Sequence, residues 1–305
     1  MVEQEFKVDF FVVGAARSGT TTLYQYFAQH PEVYLPRVKE LNYFSKVSSS
    51  QAQDYDMPKP NKEYHTKIIQ NQQTYKDLYA QAKPGQKKGD ISPSYLWHEE
   101  TAAAIKAHNP KAKIVVSLRH PVGRAFSHYL MAKSVGYEQS KDFNQAIHAP
   151  LSEHWGGGNR YMEWSDYTAP LKAYFGAFSK AQIHVMVFEQ WVRDQDQALA
   201  ELADFLGVNH QPLGAEDTRH NQTLAYKHQE ALNTLRTPWA RRLLHAVMGE
   251  SNRNRIKSFL FGGGPSEEEL PEALKNQLMS QNIESVRQLE ALIQKPLGDL
   301  WGINK

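Results

Sequence analysis

The sequence predicts an α/β fold in which a single domain, spanning residues 1–305, holds a central, mainly parallel sheet flanked by helices. Short continuous apolar runs recur along the chain, and such runs suit strands that are buried on both faces. Each run is followed by apolar residues at helical spacing. Strands that alternate with helices favour a parallel sheet with helices on both faces. The length is sufficient for a substantial core, and 41 % apolar residues make a globular protein the default.

Three strand–helix units lead to this fold class, and a last helix follows them. The predicted strands cover residues 10–13, 112–119 and 182–189. The first predicted helix runs from Thr20 until Pro31 stops it, and the second begins at Pro121 and reaches about Ser134. The third is closed by Gly207, a residue type typical of helix C-termini. An amphipathic stripe over residues 270–293 predicts the last helix.

Composition excludes several classes of protein. The 35 Lys and Arg residues nearly balance the 33 Asp and Glu residues, so bulk electrostatic binding to nucleic acid is not expected. The absence of cysteine excludes a disulfide framework, a thiolate metal site and a cysteine nucleophile. No N-terminal apolar run approaches the roughly 20 residues that span a bilayer, and no cleavable signal is recognisable. We therefore predict a cytoplasmic protein without a membrane span; the oligomeric state is left open.

The most informative segment is the loop between the first strand and the first helix, residues 14–22. Backbone N–H groups at a helix N-terminus form a cradle for a phosphate, and glycines allow a close approach. The alternative is an ordinary glycine turn. Arg17, Ser18 and three consecutive threonines in this loop favour the phosphate site.

The loop differs from that of nucleoside triphosphatases, which reads G-x-x-x-x-G-K-[ST]. The spacing from Gly14 to Gly19 is right, but Thr20 stands where the lysine should be, and Arg17 supplies the cation inside the loop. The second strand also ends without the aspartate that holds Mg²⁺ in those enzymes. The sequence therefore predicts a phosphate site without a metal site.

A second basic motif follows the second strand. Arg119 ends that strand, and Ser127 lies about two turns into the next helix. Ligands gather at the carboxyl ends of parallel strands, so Arg119 is expected at the same rim as the first loop. An arginine there can also simply cap a helix or pair with a carboxylate. Two cationic sites on one rim predict a ligand with two separated phosphates.

These motifs resemble those of sulfotransferases. Residues 16–21 are similar to the 5′-phosphosulfate loop of that family, and residues 119–129 to its 3′-phosphate motif. Weaker matches occur in the expected order at 89–95, 187–189, 205–207 and 220–223. The resemblance implies 3′-phosphoadenosine 5′-phosphosulfate (PAPS) as the donor, released as 3′-phosphoadenosine 5′-phosphate (PAP), with no metal.

The resemblance also implies roles for individual residues. Arg17 stands where most members have lysine, and in that place it stabilises the charge that grows on the leaving phosphate oxygen. Arg119 and Ser127 bind the 3′-phosphate. The 5′-phosphate and the sulfuryl oxygens are assigned to the loop, that is, to Arg17, Ser18, Gly19, Thr20, Thr21 and Thr22.

The general base is predicted from a further segment, residues 36–44, which resembles the part of glycan sulfotransferases where a glutamate precedes an aromatic pair. That resemblance makes Glu40 the base; without it, Lys39 and Glu40 read as solvated surface. His98 is the rival, because aryl and steroid sulfotransferases use a histidine and residues 89–98 run from a strand toward the rim. Glycan-type members often have a lysine near the position of Ile91, which leaves open whether Lys87 or Lys88 replaces it.

The predicted function is sulfuryl transfer from PAPS to an acceptor hydroxyl, by in-line attack with Glu40 as the base. By analogy, a glutamate base favours a carbohydrate or another aliphatic alcohol over a phenol. Two alternatives remain at this point. One is a P-loop kinase, and the other is a non-enzymatic, nucleotide-gated binding protein on the same fold.

Overall fold

A five-stranded parallel sheet forms the centre of the computed structural model, which describes residues 6–45, 68–134, 137–152, 158–212 and 268–303. The strands are β1 (Phe10–Gly14), β2 (Val33–Tyr34), β3 (Lys87–Ile91), β4 (Lys113–Leu118) and β5 (Ile183–Val187). Their spatial order is β2–β3–β1–β4–β5, and every pairing is parallel. The predicted fold class is confirmed.

Helices lie between successive strands and after the last strand, β5. In chain order they are α1 (Thr20–Ala28), α2 (Gln72–Asp77), α3 (Thr101–His108), α4 (Pro121–Ser134), α5 (Phe143–His148), α6 (Thr168–Ala177), α7 (Phe188–Trp191), α8 (Gln195–Leu206), α9 (Glu272–Gln281), α10 (Ile283–Ile293) and α11 (Leu297–Leu300). Short 3₁₀ turns lie at Pro93–Leu96, Glu163–Ser165 and Lys180–Gln182.

The core follows the alternation of side chains along β1, all of whose residues are buried. Phe10 and Val12 belong to a cluster with apolar residues of α1 and α8, among them Phe27 and Leu202. The ring of Phe11 instead contacts Phe44, Tyr95 and His108. The central strand is therefore covered on both faces, which explains why its sequence reads as one continuous apolar run.

The described residues divide into two compact units. One holds the sheet and comprises residues 6–45, 68–121, 166–212 and 280–303. The other comprises residues 122–134, 137–152, 158–165 and 268–279. The assignment of residues 1–305 to one domain stays a prediction.

A buried arginine organises the second unit. Arg124 is fully buried, its Nε donates to the Ser165 hydroxyl at 2.7 Å, and its Nη2 contacts the Tyr161 carbonyl. The Tyr161 hydroxyl donates to Glu138 at 2.7 Å, and its ring meets that of Tyr129. These two acceptors from the same unit offset part of the cost of burying the cation.

Two predicted elements differ from the structure, and one short strand was not predicted. Residues 188 and 189 were assigned to the last strand, but they begin α7, because β5 ends at Val187. The single helix over 270–293 is two helices, α9 and α10, separated at Asn282. The short strand β2 was not predicted, since two residues carry no periodic signal. The motif residues 220–223 lie outside the described part of the chain.

Within the described residues, no helix is both long and apolar enough to cross a bilayer. The cytoplasmic location stays a prediction.

Candidate active site

The loop between β1 and α1 is tied to the neighbouring strand through Ser117. The Ala15 amide donates to the Ser117 carbonyl at 2.7 Å, and the Ser117 hydroxyl donates to the Ser18 carbonyl at 2.6 Å. Trp191 Nε1 donates back to the Ser117 hydroxyl at 3.0 Å. The loop therefore lies at the carboxyl ends of β1 and β4, the predicted rim.

Gly19 precedes α1 and is required there for two reasons. Its φ is +83°, a left-handed conformation that disfavours residues with a Cβ. An added Cβ would also lie 2.1 Å from Trp191 Cζ2. Because glycine provides no capping side chain, the first N–H groups of α1 have no cap from this position and suit an anionic ligand.

Ser18 shows most clearly that the loop suits an anionic ligand. Its side chain is fully buried, and its Oγ has no hydrogen-bond partner among the described residues. Leaving a buried hydroxyl unpaired costs about 1–3 kcal/mol. Thr20 and Thr22 are also buried, and Thr21 is half-buried. A phosphate or sulfonate oxygen fits this set of hydroxyl and backbone donors.

Two arginines bring positive charge to the same loop. Arg119 Nη1 donates to the Arg17 carbonyl at 2.9 Å, and its guanidinium lies 4.7 Å above the Phe188 ring. Burial and the charge of Arg119 lower the pKa of Arg17 to about 10, and the charge of Glu40 opposes that shift. Burial also lowers the pKa of Arg119. Two half-buried like charges favour an anion between them.

Residues 119 and 120 are fixed by partners from distant segments. Glu189 accepts the His120 amide at 2.9 Å through Oε1, and Trp301 Nε1 donates to its Oε2 at 3.1 Å. The Tyr167 hydroxyl donates to the Arg119 carbonyl at 2.9 Å. Ser127 is buried on α4 in the second unit, and its contact with a 3′-phosphate stays a prediction.

Glu40 lies in a strained turn beside these cations. Its φ is +60°, its amide donates to the Ile91 carbonyl at 3.0 Å, and its carboxylate pairs with Lys39 Nζ. The Lys39 side chain is only 4 % exposed, so its interpretation as solvated surface is wrong. Because the Glu40 charge acts on Arg17, the structure brings the predicted base and the predicted loop cation into electrostatic range.

Among the described residues, no hydrogen bond or ion pair links the His98 side chain to the two arginines or to Glu40. Its imidazole is half-buried and makes no hydrogen bond or ion pair within the described residues. Burial lowers its pKa, which keeps it neutral near pH 7. Lys87 and Lys88 line a cavity of about 680 Å³ at the amino ends of the strands, so neither replaces the lysine missing at Ile91.

Sequence reasoning missed four residues that hold the site. They are Lys39, Asp90, Trp191 and Trp301. Trp191 and Trp301 act through partners that are distant in sequence, and Lys39 and Asp90 are charged residues that only the fold buries; local patterns carry no signal for either. Among the described residues, no group of three or more metal-ligating side chains is found.

A sequence profile described as the Sulfotransferase family matches residues 9–212. The chain belongs to the sulfotransferase family. This assignment favours sulfuryl transfer over the P-loop kinase alternative.

Three relatives illustrate the similarity of this sulfotransferase. Mouse heparan sulfate glucosamine 3-O-sulfotransferase 3B1 is 23 % identical over 201 residues, which are 65 % of this chain and 45 % of that protein. Human carbohydrate sulfotransferase 15 is 26 % identical over 165 residues, 45 % of this chain and 29 % of that protein. The chain thus spans less than half of these relatives. A solved structure of a sulfotransferase from Alicyclobacillus acidocaldarius is 25 % identical, with a TM-score of 0.68, and the match covers 97 % of this chain and 99 % of that one.

Proposed function

We propose that this sulfotransferase transfers the sulfuryl group of PAPS to a hydroxyl of a carbohydrate or another aliphatic alcohol, with Glu40 as the base. One observation carries the proposal: Arg17 and Arg119 meet at the glycine-led start of α1, and the Glu40 charge acts on Arg17. Anion binding and proton abstraction are thereby assembled at one rim of the sheet.

The described residues fit the donor. The uncapped start of α1 and the unpaired Ser18 hydroxyl suit the 5′-phosphosulfate, with Thr20, Thr21 and Thr22 as further hydroxyl donors. Arg119 supplies the charge for the 3′-phosphate, and the family pattern adds Ser127 to that role. Arginine presents a planar fork of donors, which matches phosphate oxygens in pairs.

The same residues support the chemistry. Glu40 accepts the proton of the acceptor hydroxyl while the acceptor oxygen bonds to sulfur. The bond from sulfur to the 5′-phosphate oxygen breaks, and its electron pair stays on that oxygen. Arg17 stabilises the charge that develops there, so its contribution is larger in the transition state than in the bound donor.

The acceptor class rests on similarity. The names of the relatives specify heparan sulfate glucosamine and carbohydrate acceptors, and a glutamate in the position of Glu40 accompanies such acceptors in the resemblance. We extend that class to this chain as a proposal.

The test is a transfer assay with PAPS and three acceptors: a glucosamine-containing oligosaccharide, a simple aliphatic alcohol and a phenol. We expect labelled sulfate on the sugar hydroxyl at a higher kcat/KM than on the phenol. Preferred sulfation of the phenol would contradict the acceptor class. Tight PAP binding with no transfer to any of the three would favour a nucleotide-gated binding protein instead.

A further inference from the structure

We propose that Asp90 is a positioning residue for Glu40, because the Asp90 carboxylate sets the direction of the hydrogen bonds that hold residues 40–45. The inference rests on the proposed role of Glu40 as the base.

Asp90 is a buried carboxylate at the end of β3, with 1 % of its surface exposed. Three hydroxyl groups surround it. Its Oδ2 accepts from Tyr75 at 2.9 Å and from Tyr95 at 2.8 Å, and its Oδ1 accepts from Ser92 at 2.7 Å. A carboxylate can only accept, so each of these hydroxyl hydrogens points toward Asp90.

Two of these hydroxyls also accept hydrogen bonds from the backbone of residues 40–45, the segment that contains Glu40. Tyr95 accepts the amide of Tyr43 at 3.0 Å and, more weakly, the amide of Phe44 at 3.4 Å. Ser92 Oγ accepts the amide of Asn42 at 3.2 Å. Because Asp90 takes the hydroxyl hydrogens, the lone pairs of Tyr95 and Ser92 are left for the backbone N–H groups of the segment.

The segment needs such support. Glu40 and Asn42 have φ values of +60° and +54°, a region that residues with a side chain enter at a cost. The Asn42 side chain closes the turn: its Nδ2 donates to the Glu40 carbonyl at 2.6 Å, and its Oδ1 accepts from Ser94 at 2.6 Å. A chain of hydrogen bonds thus runs from Asp90 through Ser92 and Asn42 to Glu40.

The substitution Asp90→Asn keeps the size of the side chain but replaces one of the two acceptor oxygens with a donor nitrogen. An amide donates from its nitrogen, so either Tyr95 or Ser92 must accept from residue 90 and turn its own hydrogen toward a backbone N–H. One anchor of the segment is lost in either orientation. Tyr95→Phe removes the main anchor and leaves Asp90 in place.

Tyr75→Phe is the matched control. It also deletes a hydroxyl that donates to Asp90 Oδ2, and Phe retains the ring that stacks on Tyr43 with centroids 4.2 Å apart. The structure shows no hydrogen bond from the Tyr75 hydroxyl to the backbone of residues 40–45 among the described residues. Positioning predicts different results for Tyr95 and Tyr75, whereas a general loss of core stability predicts similar ones.

The experiment combines hydrogen exchange of the full chain with kinetics. We expect Asp90→Asn and Tyr95→Phe to speed exchange at residues 42–44 and to lower kcat about 10- to 100-fold, since a displacement of about 1 Å can cost that much. The Kd for PAP should change less than about twofold, and Tyr75→Phe should match the wild type in all three measurements. Unchanged exchange in Tyr95→Phe, or equal losses in Tyr75→Phe, would overturn the proposal.

A double variant separates this proposal from the assignment of the base. In the Glu40→Gln background, Tyr95→Phe should cause no further loss of kcat, because the group that it positions is already gone. An additional loss of full size would show that Tyr95 acts independently of Glu40, which overturns the proposal. If Glu40→Gln alone retains turnover, the base assignment fails, and the exchange data then decide by themselves whether Asp90 holds the segment.

Discussion

Arg119 donates a hydrogen bond from Nη1 to the carbonyl oxygen of Arg17, 2.9 Å away, and so joins two basic motifs that are 102 residues apart. The bond fixes the backbone of the loop after β1 with a side chain that directly follows β4, the neighbouring strand of the sheet. Two guanidinium groups are thereby kept near each other, and burial and mutual repulsion lower the pKa of Arg17. An anionic ligand relieves that repulsion.

This arrangement predicts selective stabilisation by a nucleotide with phosphates at both the 3′ and 5′ positions. A ligand that binds only the folded state increases the free energy of unfolding by RT ln(1 + [L]/Kd), which is about 2.7 kcal/mol at 100 times Kd, and so raises the melting temperature. We expect PAP to raise Tm well above the shifts given by ATP or AMP, as measured by thermal denaturation. Equal shifts for PAP and ATP would contradict a two-phosphate site.

The two arginines should differ in kinetics. Arg17→Ala is expected to lower kcat by more than it weakens PAP binding, because its charge counts most as the leaving oxygen becomes negative. Arg119→Ala should chiefly weaken binding of the donor, and Phe188 then loses the cation above its ring. Turnover at saturating PAPS and calorimetry with PAP separate the two effects. An interchange of the two results would reverse the roles.

A substitution at Gly19 tests the geometry of the loop, and Gly85, which has a similar φ, provides the control. Gly19 and Gly85 both have positive φ, +83° and +87°, but only the Cβ of an alanine at 19 would strike Trp191. Gly85→Ala should cost about 1–2 kcal/mol for the left-handed backbone alone. Gly19→Ala should cost more and should also abolish PAP binding. Urea denaturation gives the first quantity and calorimetry the second; similar losses for both variants would mean that the close approach of Trp191 is unimportant.

Local sequence patterns were sufficient to predict part of the fold and part of the site. β1 is a continuous apolar run, and β4 and β5 are mostly apolar. Arg17 and Arg119 follow β1 and β4, so their meeting at one rim was predictable from parallel topology. The strand β3 begins with two lysines and contains Asp90, so its sequence does not look like a strand whose last residues are buried. The burial of Asp90 depends on hydroxyls that the fold brings to it from α2 and from the turn after β3.

Lys39 shows the same limit within the site. Two adjacent charges on a loop are ordinarily exposed, yet Lys39 is buried and paired with Glu40. Only the tertiary packing of residues 36–45 reveals that, since nothing in the spacing of the residues distinguishes this pair from a surface pair.

The Asp90 carboxyl predicts a dependence of stability on pH. Burial raises its pKa from 3.8 to about 6, although hydrogen bonds from Ser92, Tyr95 and Tyr75 oppose the shift. Between pH 4 and pH 6 the folded state binds more protons than the unfolded state, so stability falls as pH rises through this window and is then constant. The full effect is about 3 kcal/mol, at roughly 1.4 kcal/mol per pH unit.

Denaturation of the wild type and of Asp90→Asn at pH 4 and pH 7 measures this effect. The wild type should lose stability relative to the variant as the pH rises, because asparagine has no proton to release. Other titratable groups that face Asp90 or its partners include Tyr43, Tyr79 in the turn after α2, and His108 of α3. The ring of His108 lies 6.1 Å from that of Tyr75. If a His108→Gln variant removes the pH dependence and Asp90→Asn retains it, the assignment to Asp90 is wrong.

The last prediction assigns the base. Glu40→Gln keeps the size of the side chain and a carbonyl that can accept a hydrogen bond, but it removes the group that takes the proton. General-base catalysis contributes typically 10²- to 10⁴-fold, so we expect kcat to fall by about 100-fold or more. The substitution also removes the ion pair with Lys39, which is 4 % exposed, so a structural effect must be measured separately. Unchanged PAP affinity and an unchanged Tm in the presence of PAP would show that the loop is intact.

Glu99→Gln is the matched control for Glu40→Gln, because Glu99 is exposed and makes no ion pair within the described residues. His98→Ala tests the rival on the neighbouring residue: its half-buried imidazole makes no hydrogen bond in the described structure, so turnover should stay near that of the wild type. Near-normal turnover in Glu40→Gln together with loss of turnover in His98→Ala would replace the glutamate mechanism with a histidine base.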